Sequence, residues 1–147
     1  DHLDRYKNNF SNYVYSKLQI TKNQTKKDFV IYNYDDTSLS NLKTNAKKIP
    51  ISLKHKLNGD SGFYTNNKIN INLNNKKMTI EKLALKGTHN IFNSMAAAMA
   101  ARVFEVSDDI IRKSLIDFEN VGHFILFISS LSCHSGKSGT ISIAFFM

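Results

Sequence analysis

Hydrophobic and polar positions change rhythm several times along the chain. Across residues 9 to 20, Phe10, Tyr13, Val14, Lys17 and Leu18 recur at helical spacing, which predicts a helix with Asn8 or Asn9 as its N-cap. Asp28 to Asn33 is a β-branched and aromatic run, the pattern of a buried strand. Asp35-Asp36 closes that run and is expected to cap a short helix reaching Ala46. Ile49 to Leu53 reads as another strand, with Pro50 at its start or on a sheet edge.

From Gly59 to Leu85 the period drops to two. Phe63-Tyr64, Lys68 to Leu73 and Met78 to Ile80 predict strands of a small β-meander at about 59–80, turning at Asn66-Asn67 and Asn74-Asn75. Asparagine tolerates the left-handed backbone of such turns. Residues 89 to 104 form an alanine-dense helix. Ser107-Asp108-Asp109 starts another, running to about Phe118, with a serine cap and two acids suited to the positive helix end. Phe124 to Ile128 has strand character, Ser129 to Thr140 is rich in serine and glycine, and Ile141 to Met147 is apolar without period. The expected class is α/β: a sheet flanked by helices, carrying the meander.

Charge changes this picture little. The formal net charge is +8, but the lysines are scattered among asparagines and turns, and only three arginines occur: Arg5, Arg102 and Arg112. Arginine is the residue favoured for bidentate phosphate and guanine contacts. An excess of Lys, Asn and Ile is what AT-rich coding produces, so no nucleic-acid partner is expected. The single cysteine, Cys133, excludes an internal disulfide framework and a multi-cysteine zinc site. No apolar run approaches the roughly 18–20 residues that span a bilayer, and no signal pattern is visible. A cytoplasmic monomer with no membrane partner is the default expectation. The first residue, Asp1, already belongs to a motif, and sites are seldom built at fraying termini. An internal piece of a longer protein is therefore expected.

Two polar clusters carry the candidate chemistry. In Asp1-His2-Leu3-Asp4 a histidine and two carboxylates fall within four residues and can reach a hard cation such as magnesium. The plain alternative is an exposed polar loop. Lys17 shares a helix side with Phe10, Tyr13 and Val14. A buried lysine gives up its charge readily, and a neutral amine can add carbon dioxide to become a carbamate, an acidic metal ligand. The alternative is a lysine lying with its stem on the core. In one continuous helix His2 and Lys17 would stand about 22 Å apart, so a shared site requires a turn near Lys7 to Asn9.

Gly87-Thr88-His89-Asn90-Ile91-Phe92-Asn93 leads into the alanine-rich helix. Gly87 allows a sharp backbone turn, and Asn90 and Asn93 lie three apart on one helix face. An asparagine amide donates and accepts, as an adenine edge requires. Helix capping is the alternative. Gly136-Lys137-Ser138 is not a phosphate loop, because Leu131 stands where the motif needs glycine. Cys133-His134 is an isolated pair.

Asp1 to Tyr6, Asn12 to Lys17 and Leu85 to Ala97 together resemble the Mur ligases, three-domain enzymes of peptidoglycan synthesis. The resemblance runs in order from Asp1 to about His123, the later part of the family's central ATP-binding domain, assigned here as 1–122. It implies ATP-dependent amide formation through an acyl phosphate, with ATP and magnesium. Within the family the D-glutamate-adding branch is nearest, implying UDP-N-acetylmuramoyl-L-alanine, D-glutamate and ATP as small-molecule substrates. Carried over by position, His2 would ligate magnesium and Lys17 would be the carbamylated, metal-holding and catalytic lysine. Asn90 and Asn93 would line the ATP site, Asn93 nearest the adenine, with Asp4 in support. The family's phosphate loop lies upstream of Asp1. Phe124 replaces its arginine after the histidine matched by His123, and its Asp-Ser-Lys segment has no counterpart. Residues 123–147 are thus expected to be a divergent or frame-shifted tail, and the piece alone is expected not to complete catalysis. The rivals are an alanine-adding or folylpolyglutamate-type ligase and, from another class, a basic nucleic-acid-binding module.

Overall fold

The computed structural model describes residues 10–84, 86–117 and 141–144. Six strands form one sheet in the order β5-β4-β3-β2-β1-β6: β1 Phe29–Asn33, β2 Lys47–Ser52, β3 Ser61–Thr65, β4 Lys68–Leu73, β5 Lys76–Ile80 and β6 Ile141–Ala144. Strands β6, β1, β2 and β3 run parallel, while β4 and β5 return antiparallel. The helices are α1 (Phe10–Leu18), α2 (Thr88–Val103) and α3 (Asp108–Ile116). The α/β class read from the sequence is the class observed. The expected meander is part of the main sheet, because β3 pairs with β2 and carries β4 and β5 into it.

β1 is covered on both faces, which is why its sequence is a continuous apolar run. Val30 joins Leu42 and Ala46, with Leu18 of α1 against them. Ile31 faces the larger core with Ile49, Ile51, Ile69 and Ile71, beneath Met95 and Met99 of α2 and Ile111 of α3. Gly62 of β3 is the closest approach: a methyl there would stand 2.9 Å from Ile51 Cγ2 and 3.1 Å from Met95 Cγ. Both asparagine pairs make tight turns, with φ of 50° and 60° at Asn66 and Asn67, and 51° and 61° at Asn74 and Asn75.

Four expectations need correction. Asp36 caps only a three-residue 3-10 turn, Thr37–Leu39, its carboxylate accepting from the Ser38 N–H at 2.9 Å. No helix continues to Ala46, since Leu42 and Ala46 are needed in the core below β1. Pro50 lies inside β2, paired with Tyr32, and not at its start. It is tolerated because β3 joins β2 only at Ile51 and Ser52, leaving Pro50 a strand partner on one side alone. Ser107 stands at the N-cap of α3 but its side chain makes no cap bond. Finally, Ile141 to Ala144, without period in the sequence, pairs in parallel with Phe29 to Tyr32.

Candidate functional site

The C-terminal ends of β1 and β2 are locked together by one carboxylate. The Asp35 side chain is only 8 % exposed. It accepts from the Ser52 hydroxyl at 2.5 Å and from the Leu53 N–H at 2.7 Å. Ser52 Oγ accepts in turn from the N–H groups of Lys54 (3.1 Å) and His55 (2.8 Å), so donors and acceptors around it are matched. Asn33 completes the turn, its side-chain oxygen accepting from the Asp35 N–H at 3.0 Å. His55 packs edge-on against Tyr34 with ring centroids 5.9 Å apart, its Nε2 3.9 Å from Asp35 Oδ1.

Beside this clamp is a cavity of about 670 Å³ between the strand ends and the first turn of α2. Leu53, Tyr64, Ile91 and Phe92 give it apolar walls, and Asn33, Thr37, Lys54 and Thr88 add polar groups. Its position outside the carboxyl ends of parallel strands is a usual place for ligands in open α/β sheets.

Helix α2 presents two different faces here. At about 100° per residue, Thr88, Ile91, Phe92, Met95 and Met99 follow the side against the sheet and cavity, and Ile91, Phe92 and both methionines belong to the core contacts. Asn90 and Asn93 fall on the other side and do not line the cavity. Gly87, at φ 98°, makes the turn into α2 as its N-cap. Each asparagine amide is anchored one turn back. Asn90 Nδ2 donates to the Lys86 carbonyl at 2.7 Å, and Asn93 Nδ2 lies 2.9 Å from His89 Nε2. Neither sits at the N-cap, so both are left with an amide oxygen and a second N–H for another partner.

The metal candidates fall elsewhere. Asp1, His2 and Asp4 lie outside the described residues. Lys17 lies in α1, where the description covers its backbone alone. The turn proposed between Lys7 and Asn9, and Phe118, His123, Phe124 to Ile128, Cys133-His134 and Gly136 to Ser138, also lie outside. Among the described residues no cluster of three or more His, Cys, Asp or Glu side chains could hold a metal. Sequence reasoning missed the Asp35–Ser52 clamp, although Asp35 directly follows a strand end, and it missed the His89 contact to Asn93 four residues on.

Two of the three arginines have structural duties. Arg102, with its side chain 11 % exposed, pairs with Asp108 and donates to the Lys76 carbonyl of β5. Arg112 donates to the Thr79 carbonyl at 3.1 Å and lies near Asp108 and Asp109. Lys47 and Lys68 are paired with Asp60 and Glu81, each at 2.6 Å. These cations tie strands, turns and helix α3 together and do not converge on a groove. No described helix is long and apolar enough to cross a membrane.

The Mur ligase middle domain family matches residues 1–101 of the chain. Several curated relatives bear the name UDP-N-acetylmuramoylalanine--D-glutamate ligase. That of Christiangramia forsetii is 38 % identical over 130 residues, covering 84 % of this chain and 29 % of the relative. The Salinibacter ruber protein is 37 % identical over 132 residues, covering 84 % and 28 %. The Streptococcus mutans protein is 35 % identical over 124 residues, covering 83 % and 27 %. The chain thus spans under a third of the length of the relatives it matches.

Proposed function

The chain belongs to the Mur ligase family, as part of its middle domain, and from that premise we propose that it serves an ATP-dependent ligase joining D-glutamate to UDP-N-acetylmuramoyl-L-alanine. The observation that carries the reading is the match of most of the chain to relatives named for that reaction, at 35–38 % identity in the three cited. In the proposed reaction a carboxylate oxygen of the alanyl group attacks the γ-phosphorus of ATP, and ADP leaves. The amine of D-glutamate then attacks the acyl carbon, phosphate departs with the C–O bond electrons, and the nitrogen gives up a proton.

The residues divide this work by chemistry. Asn90 and Asn93, each with an amide oxygen and a free hydrogen on one helix side, suit a purine edge. The donor set proposed for magnesium is the His2 imidazole and a carbamate on Lys17, with Asp4 nearby. A carbamate supplies the oxygen ligands a hard cation prefers, so the set fits chemically. Bound there, magnesium would offset the charge of the transferring phosphoryl group. Lys17 would supply the carbamate oxygens, and His2 would offer a neutral ring nitrogen. A cytoplasmic location and a monomeric state belong to the same reading.

The alanine-adding and folylpolyglutamate-type ligases are less favoured, because the cited relatives carry the D-glutamate name. A nucleic-acid-binding role is disfavoured by Arg102 and Arg112, which are engaged with β5 and Asp108. The test is a chimaera: residues 1–117 replace the corresponding segment of the Christiangramia forsetii enzyme, and phosphate release is measured with UDP-N-acetylmuramoyl-L-alanine and ATP. Release dependent on D-glutamate, and abolished by Lys17→Ala, is expected. A folded chimaera that releases phosphate only with another amino acid would overturn the assignment.

A further inference from the structure

We propose that His89 is a positioning residue that fixes the flip of the Asn93 amide and so sets a preference for adenine over guanine nucleotides. This rests on the reading of Asn93 as the purine-facing residue. The two side chains are one helical turn apart, with Asn93 Nδ2 2.9 Å from His89 Nε2. An amide nitrogen carries only hydrogens to offer, so the imidazole nitrogen facing it must present a lone pair. In this proposal Nε2 takes the accepting role, with the ring proton on Nδ1. That donation turns the amide nitrogen toward the imidazole and its oxygen away.

What remains free is one oxygen and one N–H. Adenine presents an amino donor beside an acceptor nitrogen, and this pair complements it. Guanine reverses that order at its Watson–Crick edge, with a carbonyl acceptor beside an N–H donor, so with the flip fixed its carbonyl would meet the asparagine oxygen. A freely turning amide could suit either base by exchanging its ends. Asn90 differs, being held to a backbone carbonyl, that of Lys86, at 2.7 Å. Only at Asn93 does a ring set the orientation.

The experiment uses the whole 147-residue chain, labelled with nitrogen-15. A scalar coupling across the N–H···N bond reads the His89–Asn93 contact directly, and calorimetric titrations with Mg-ATP and Mg-GTP read the preference. His89→Phe keeps a ring without the acceptor, and His89→Gln restores an acceptor oxygen. The expected result is a coupling in the wild type and a three- to tenfold fall in the ATP-over-GTP ratio in His89→Phe, about the worth of one neutral hydrogen bond. His89→Gln should recover most of that ratio. An unchanged ratio in His89→Phe, or no coupling in the wild type, overturns the positioning role alone. Failure of the wild type to bind ATP, both as this chain and within the chimaera described above, overturns it together with the nucleotide reading of Asn93.

Discussion

Gly62 offers the sharpest test of how the sheet and α2 fit together. It sits in β3 between Ile51 of β2 and Ile71 of β4, its register partners, with Met95 above. A methyl at this position meets Ile51 Cγ2 at 2.9 Å, Met95 Cγ at 3.1 Å and Ile71 Cδ1 at 3.3 Å. The end of Ile71 can swing aside, and Met95 Cγ can move by a change of χ1. Ile51 cannot, because its Cγ2 branches from Cβ and the side chain has few χ1 choices. Overpacking of this kind costs about 1–3 kcal/mol. Alanine recovers roughly 0.4–1 kcal/mol by stiffening the unfolded chain, since φ here is not left-handed.

The net loss for Gly62→Ala is then about 1–2 kcal/mol, which for a chain of this size lowers Tm by roughly 3–8 °C. Urea melts followed by circular dichroism give the free energy, and calorimetry gives Tm. Gly59→Ala is the control. Its φ of 67° strains an alanine but no atom lies within 4 Å, so its cost should not respond to core changes. In an Ile51→Ala background, by contrast, the penalty at 62 should vanish, a coupling a double-mutant cycle measures. A Gly62→Ala protein as stable as the wild type, with the same urea slope, would refute this account of the packing.

Two further predictions concern carboxylates. Asp35→Asn replaces an acceptor oxygen with a donor, so either the Ser52 hydroxyl or the Leu53 N–H faces a hydrogen inside the clamp. The expected loss is roughly 1–3 kcal/mol in a urea melt, and no loss would mean the clamp is not formed in solution. For Asp60, burial alone would raise the carboxyl, but the bonds from Lys47 and the Asn74 N–H outweigh it and hold the pKa below 3.8. Its contribution is therefore present above the ordinary carboxylate value and lost as pH falls through the lowered one. Below about pH 4, Asp60→Asn should flatten stability against pH relative to wild type; parallel acid titrations of the two proteins would disprove it.

Local chemistry was easiest to read from the residues. The asparagine pairs announced their turns because few other residues accept a left-handed backbone, and the run Phe29 to Asn33 announced a strand covered on both faces. The alanine-rich stretch gave a helix one residue from its predicted ends. What failed depended on distant partners. Residues 40 to 46 have helix-tolerant composition, but Leu42 and Ala46 are claimed by the core below Val30. Pro50 sits inside β2 only because of where β3 joins, and β6 forms only because β1 has an edge to accept it. At the site, the spacing of Asn90 and Asn93 correctly put them on one side of a helix. Nothing in that spacing said the cavity would open on the other.

Helix α2 is a single rod with methionines against the sheet and asparagines on its far side. A rod transmits rotation, so a volume change under Met95 or Met99 swings the amides through an arc without touching them. The packing of the interior and the aim of the two amides are therefore one mechanical variable.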